Sequence, residues 1–87
     1  MPVAIQVFPM FYTYVLTSIN GSHRYIGHTQ DLSLRLTYHN SGKVRSTKAF
    51  RPWKIAYYEK FETRNEAIQR EKYLKSSIGR DWLNNNI

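Results

Sequence analysis

Cysteine is absent from the 87 residues, which excludes disulfides and thiolate metal sites and suits a reducing compartment. Acidic residues are scarce. Six Asp+Glu against thirteen Lys+Arg leave a formal charge of +7. On a chain this small, such an excess points to a polyanionic partner, nucleic acid first, although basic surfaces also serve membranes and solubility. No apolar run is long enough to span a bilayer. Met1 to Leu16 comes nearest, but it falls short of the ~18 apolar residues required, and Pro2, Gln6 and Pro9 interrupt it. It also lacks a basic leader region and a small-residue cleavage site, which argues against a secretion signal. The expectation is a loose arm over residues 1–10 and a single domain over 11–87, cytoplasmic, with no membrane partner. A chain of this length buries only a small core.

Local patterns give the elements. Phe11 to Ser18 is rich in aromatic and β-branched residues and predicts a strand. Asn20-Gly21 predicts a hairpin turn in which both positions take positive φ, with His23 to His28 as the return strand. Asp31 can cap a short helix reaching Tyr38 or His39, which Gly42 would end. Ser41 to Arg51 reads as a basic loop. Pro52 opens a third strand, Trp53 to about Glu59, where proline is tolerated as a first residue. Trp53, Ile55 and Tyr57 alternate like one buried face. Thr63-x-x-Glu66 is a capping box for a helix running to about Ser77, stopped by Gly79. Asp81-Trp82-Leu83 then packs back as a terminal turn, with Trp82 under the core. The sum is β-β-α-β-α, an α+β domain with a three-stranded, mostly antiparallel sheet flanked by helices.

Two consequences bear on chemistry. If Asn20-Gly21 is the turn, Leu16 faces Tyr25 and Tyr14 faces Gly27. Tyr14 and Tyr25 then lie diagonally on one face, and Gly27 leaves room over Tyr14. In the second helix, Ala67, Leu74 and Ile78 form an apolar stripe whose missing member is Glu71. An inward carboxylate needs a partner, a metal or water. Alternatively, Glu71 sits at the stripe's edge and pairs with Lys75 at i+4. The pattern leaves both readings open.

Tyr12-Thr13-Tyr14, ten further residues, then Tyr25-Ile26-Gly27, with Arg35, His39 and Glu71 following in order, resembles the GIY-YIG nuclease signature. The resemblance runs from about Phe11 to Leu83 and is similar in layout to small stand-alone bacterial members. The first motif departs from the family name, because only its tyrosine is kept. The resemblance implies a GIY-YIG-like fold and an endonuclease that hydrolyses phosphodiester bonds, DNA in preference to RNA, in repair or recombination. It implies Mg²⁺ (or Mn²⁺) held by Glu71. It also implies catalytic roles for Tyr14, Tyr25, His28, Arg35, His39 and Glu71, and a supporting asparagine for which Asn84, Asn85 and Asn86 compete.

Elementary chemistry agrees with these roles. Arg35 offers a permanently charged fork for phosphate oxygens. Glu71 offers one hard oxygen ligand. Tyr14, Tyr25, His28 and His39 are each able to take or orient a water's proton, and the sequence does not choose among the four. Each also has a duller reading, the tyrosines as strand aromatics, Arg35 as a solvated helix residue, and the histidines as structural groups. Lys43, Arg45, Lys48 and Arg51 are expected to grip phosphates directly after the helix bearing Arg35 and His39; their dull reading is solubility. The alternatives to a nuclease are a binding module without catalysis and a protein-interaction domain. At this length a separate specificity domain does not fit. A monomer that selects nucleic-acid structure, or that a protein partner targets, is expected.

Overall fold

A computed structural model describes residues 9–87. The expected arm therefore lies almost wholly outside the described residues. Strand β1 (Phe11–Ser18) pairs antiparallel with β2 (Arg24–Thr29) on one side and with β3 (Trp53–Phe61) on the other, in the order β2-β1-β3. Helix α1 (Leu32–Asn40) follows β2, and a short 3-10 turn (Lys48–Phe50) precedes β3. Helices α2 (Arg64–Lys75) and α3 (Ser77–Asn86) close the chain. The α+β class and the antiparallel sheet are as expected, and the third helix is an addition. No helix among the described residues is long and apolar enough to cross a membrane.

The hairpin keeps its expected register with a different turn. Leu16 faces Tyr25 and Tyr14 faces Gly27. Only Gly21, at φ +74°, has positive φ in the turn, so Asn20 does not. Gly21 N donates to Ser18 O at 2.8 Å, and Ser18 N to His23 O at 2.9 Å. The bend is thus centred on Ile19-Asn20, with Gly21 following in the left-handed region. Asn20 accounts for this shift. Its Oδ1 accepts from Ser18 Oγ, Ser22 N and Ser22 Oγ, so its side chain ties the bend together while its own φ stays negative.

Helices cover both faces of β1, so Thr13, Tyr14, Val15 and Leu16 are buried without a break. Tyr14, Leu16 and Trp53 form one core with Tyr25, Leu32, Leu36 and Ile55, on the α1 side. Val15, Ile26, Leu74 and Leu83 form the other, with Tyr57 and Trp82, under α2 and α3. A register shift in β3 serves this division. Leu16 pairs with Ile55 but Val15 with Tyr57, so Ala56 is an extra residue, a β-bulge. Opposed residues share a face, which puts Trp53 and Ile55 with α1 and Tyr57 with α2 and α3. The expected single face of Trp53, Ile55 and Tyr57 is therefore corrected, because the bulge flips the phase between 55 and 57.

The caps were largely legible. Asp31 accepts from Leu34 N, and Thr63 accepts from Glu66 N. The end of α2 was not. Ser76, extended at φ −75° and ψ 166°, ends α2 and caps α3 by accepting from Gly79 N at 3.2 Å. Gly79 does not stop a helix but lies inside α3. A β-carbon there would stand 1.9 Å from Tyr73 O, so the glycine permits the close corner between the helices. The break also turns Ile78 out of the expected stripe. It is 68% exposed, while Ala67 and Leu74 are fully buried and Leu83 takes the vacated role. Arg70 braces the corner with two hydrogen bonds to Glu59 and its guanidinium 4.9 Å from the Trp82 ring.

Candidate active site

On the α1 face, β1 and β2 bring Tyr14 and Tyr25 together, with ring centroids 6.2 Å apart. Gly27 permits the approach as expected, since a β-carbon there would meet the Tyr14 hydroxyl at 2.7 Å. Arg35 and His39 reach the same place from one side of α1. His39 is fully buried, its Nε2 lies 3.0 Å from Tyr14 Oη, and its ring is 4.7 Å from that of Tyr25. Its Nδ1 lies 2.8 Å from Thr47 Oγ1, which itself donates to Val44 O. A threonine hydroxyl has one proton, so toward His39 it accepts. That places the imidazole proton on Nδ1 and leaves the Nε2 lone pair facing the Tyr14 hydroxyl.

The electrostatics fit this tautomer. Burial first, and the Arg35 charge second, hold the His39 imidazole down to about 4, so it is neutral near pH 7. Burial pushes the Tyr14 hydroxyl up to about 12. Arg35 opposes that rise, while Tyr25 and Glu71 add to it. The Arg35 guanidinium is in turn held more firmly protonated, chiefly by Tyr14.

His28 and Glu71 are on the other side of the sheet. His28 faces Thr13 across the β1–β2 pairing, the opposite parity from Tyr14 and Tyr25. Helix α2 presents Glu71 to the edge strand β2, and Glu71 Oε1 meets His28 Nδ1 at 2.7 Å. Oε2 accepts from Lys75 Nζ at 2.8 Å. Glu71 thus lies inward, its side chain 17% exposed, and also makes the i+4 pair with Lys75. Burial by itself would raise the Glu71 carboxyl, but the hydrogen bonds from Lys75 and His28 outweigh it and hold the group below its ordinary value. The two clusters flank β2 closely enough for the Glu71 charge to act on Tyr14.

Lys43, Arg45, Lys48 and Arg51 are all exposed, and none pairs with a carboxylate among the described residues. Thr47 anchors their loop beneath α1, and His23 stacks on Phe50 at 3.7 Å between ring centroids. Of the three asparagines, Asn84 lines a cleft together with Tyr25 and accepts from Arg24 Nη1 at 3.2 Å. Asn86 bonds its own helix at Trp82 O.

The model of the GIY-YIG catalytic domain matches residues 10–85. The chain belongs to the GIY-YIG family. It is 47% identical over 66 residues to a UPF0213 protein of Bacillus pumilus, covering 75% of this chain and 66% of that one. It is 45% identical over 65 residues to a UPF0213 protein of Streptococcus pneumoniae, covering 74% and 65%. The chain thus spans just under two thirds of those two relatives. The solution structure of the UPF0213 protein BH0048 from Bacillus halodurans is similar at a TM-score of 0.50 and 30% identity, covering 85% of this chain and 81% of that one. Within the GIY-YIG frame, the departure at Thr13 has a physical account. Thr13 Oγ1 donates to Ala67 O at 2.7 Å and ties β1 to the helix that carries Glu71. Sequence reasoning missed Thr47, which sets the His39 tautomer. A buried loop threonine has no periodicity to announce it.

Proposed function

We propose that this chain is a metal-dependent endonuclease hydrolysing nucleic-acid phosphodiester bonds, DNA in preference to RNA. The observation that carries the reading is the chain Thr47–His39–Tyr14, a neutral imidazole aimed at a tyrosine hydroxyl beside Arg35. With Tyr14 near 12, only about one molecule in 10⁵ holds its phenolate at pH 7, so the hydroxyl needs an acceptor for its proton. His39 Nε2 is that acceptor. As water attacks phosphorus, Tyr14 takes the water's proton and passes its own to His39; the phosphorus–oxygen ester bond breaks, the leaving oxygen takes a proton from solvent, and His39, acidic at about 4 once protonated, returns its own to solvent. Arg35 binds the phosphate oxygens, and Tyr25 orients the water.

Among the described residues no three His, Asp or Glu side chains gather. A single carboxylate suits Mg²⁺ (or Mn²⁺), which keeps most of its waters and takes a substrate phosphate. Glu71 would hold it, with His28 fixing the carboxylate's orientation. When bound, the ion supplies positive charge against the phosphate and the leaving oxygen. The reading extends to a cytoplasmic monomer working in repair or recombination, with substrate choice made by nucleic-acid structure or a targeting protein. The Lys75–Glu71 pair favours a second reading, a binding module without cleavage, because the carboxylate already has a cation.

Single-turnover cleavage of labelled DNA in Mg²⁺ separates the two. Tyr14→Phe keeps the ring and should lower the rate by about 10²–10⁴. Glu71→Gln should abolish the response to divalent ion while leaving DNA affinity in EDTA intact, with a modest fall in melting temperature as its ion pairs to His28 and Lys75 are lost. A Glu71→Gln protein that cuts at the parental rate removes Glu71 as the metal ligand.

A further inference from the structure

An open cleft of about 600 Å³ lies beside β2 and is lined by Arg24, Tyr25, Ile26, Lys75, Arg80 and Asn84. Three of these side chains are cationic and none is acidic. Arg24 and Arg80 pair with no carboxylate among the described residues, so their charge is available to a ligand. The Asn84 side chain holds Arg24 from across the cleft, which limits the freedom it must give up on binding. The volume falls within the range that takes a small ligand or a nucleotide unit.

Tyr25 decides where this cleft stands. Its ring lies against His39 and Tyr14 while it also walls the cleft. We propose that the cleft seats a backbone phosphate of the nucleic-acid strand, next along the chain from the phosphate at Tyr14. The loop cations Lys43 to Arg51 belong to the α1 side, joined to His39 through Thr47. Arg24, Lys75 and Arg80 come from β2, α2 and α3. The strand is therefore gripped on both sides of Tyr25.

Lys75 belongs to both clusters. Its Nζ donates to Glu71 Oε2, yet its side chain is 52% exposed and lines the cleft. A phosphate in the cleft competes for that ammonium and frees Oε2. The position next to a phosphate at Tyr14 and this last step rest on the nuclease reading, but a phosphate seat among Arg24, Lys75 and Arg80 does not.

The test measures binding of a fluorescein-labelled oligonucleotide, single-stranded and duplex, by anisotropy in EDTA across a salt series. It compares the parent with Arg24→Ser/Arg80→Ser and with a control of equal charge, Lys54→Ser/Lys60→Ser, on exposed positions of β3. The cleft pair should weaken binding about tenfold more than the control and flatten the salt slope by about 1 beyond it. Equal behaviour of the two pairs overturns the seat, since bulk charge then explains everything. Cleavage by the parent in Mg²⁺ is scored separately. A non-cutting parent whose cleft variant loses affinity retires the nuclease reading and keeps the seat. A cutting parent whose cleft variant binds like the control retires only the seat.

Discussion

Burial holds the His39 imidazole at about 4, whereas an unfolded histidine titrates near 6.5. Between those values the unfolded chain binds a proton that the native chain refuses. Stability from this group is complete above 6.5 and declines as the pH falls toward 4, by on the order of 1–3 kcal/mol. Glu71, held below its ordinary value, loses its contribution at more acidic pH. Melting temperatures from pH 8 to pH 4 should therefore fall through the histidine window in the parent and stay flatter in His39→Gln. Equal slopes would mean that solvent reaches the imidazole. Much of this site was legible in the sequence, because strand register puts Tyr14 and Tyr25 on one face and the GIY-YIG resemblance adds Arg35 and His39. The proton's placement was not legible. It depends on Thr47, whose partners Val44 and His39 meet only after the loop folds under α1.

Elements were readable wherever a side chain signals its own backbone. Asp31 and Thr63 cap the helices they precede. The corner at Ser76 misled, because a glycine three residues on reads as a stop. Its function there is contact, not termination. Gly79→Ala would ordinarily stabilise a helix by about 1 kcal/mol. Here the added carbon meets backbone of α2, so the expected sign is reversed, with a loss of about 1–3 kcal/mol and a lower melting temperature. A rise in melting temperature would show that the two helices can move apart freely. The bulge at Ala56 was equally hidden, since Trp53-x-Ile55-x-Tyr57 alternates without interruption and only pairing with β1 reveals the phase change.

At the scale of the molecule, the charge of +7 includes the four exposed loop cations, none of which pairs with a carboxylate among the described residues. Affinity for nucleic acid should fall steeply with salt and vary little with base sequence. Changing Lys43, Arg45, Lys48 and Arg51 together to Ser should flatten that dependence while the fold stays intact. Binding equal to the parent's would assign the loop to solubility alone.

Two helical layers share one sheet, and Ala56 keeps β3 in step with both. The strand resembles a text with two reading frames, one ending at Ile55 and the other beginning at Tyr57. Deleting Ala56 would merge them. If the residues from Tyr57 onward kept their places, Ile55 and Trp53 would turn toward α2 and α3, and the layer under α1 would lose its largest side chain. A one-residue deletion, harmless in many loops, would here leave both halves of the strand intact and set them against each other.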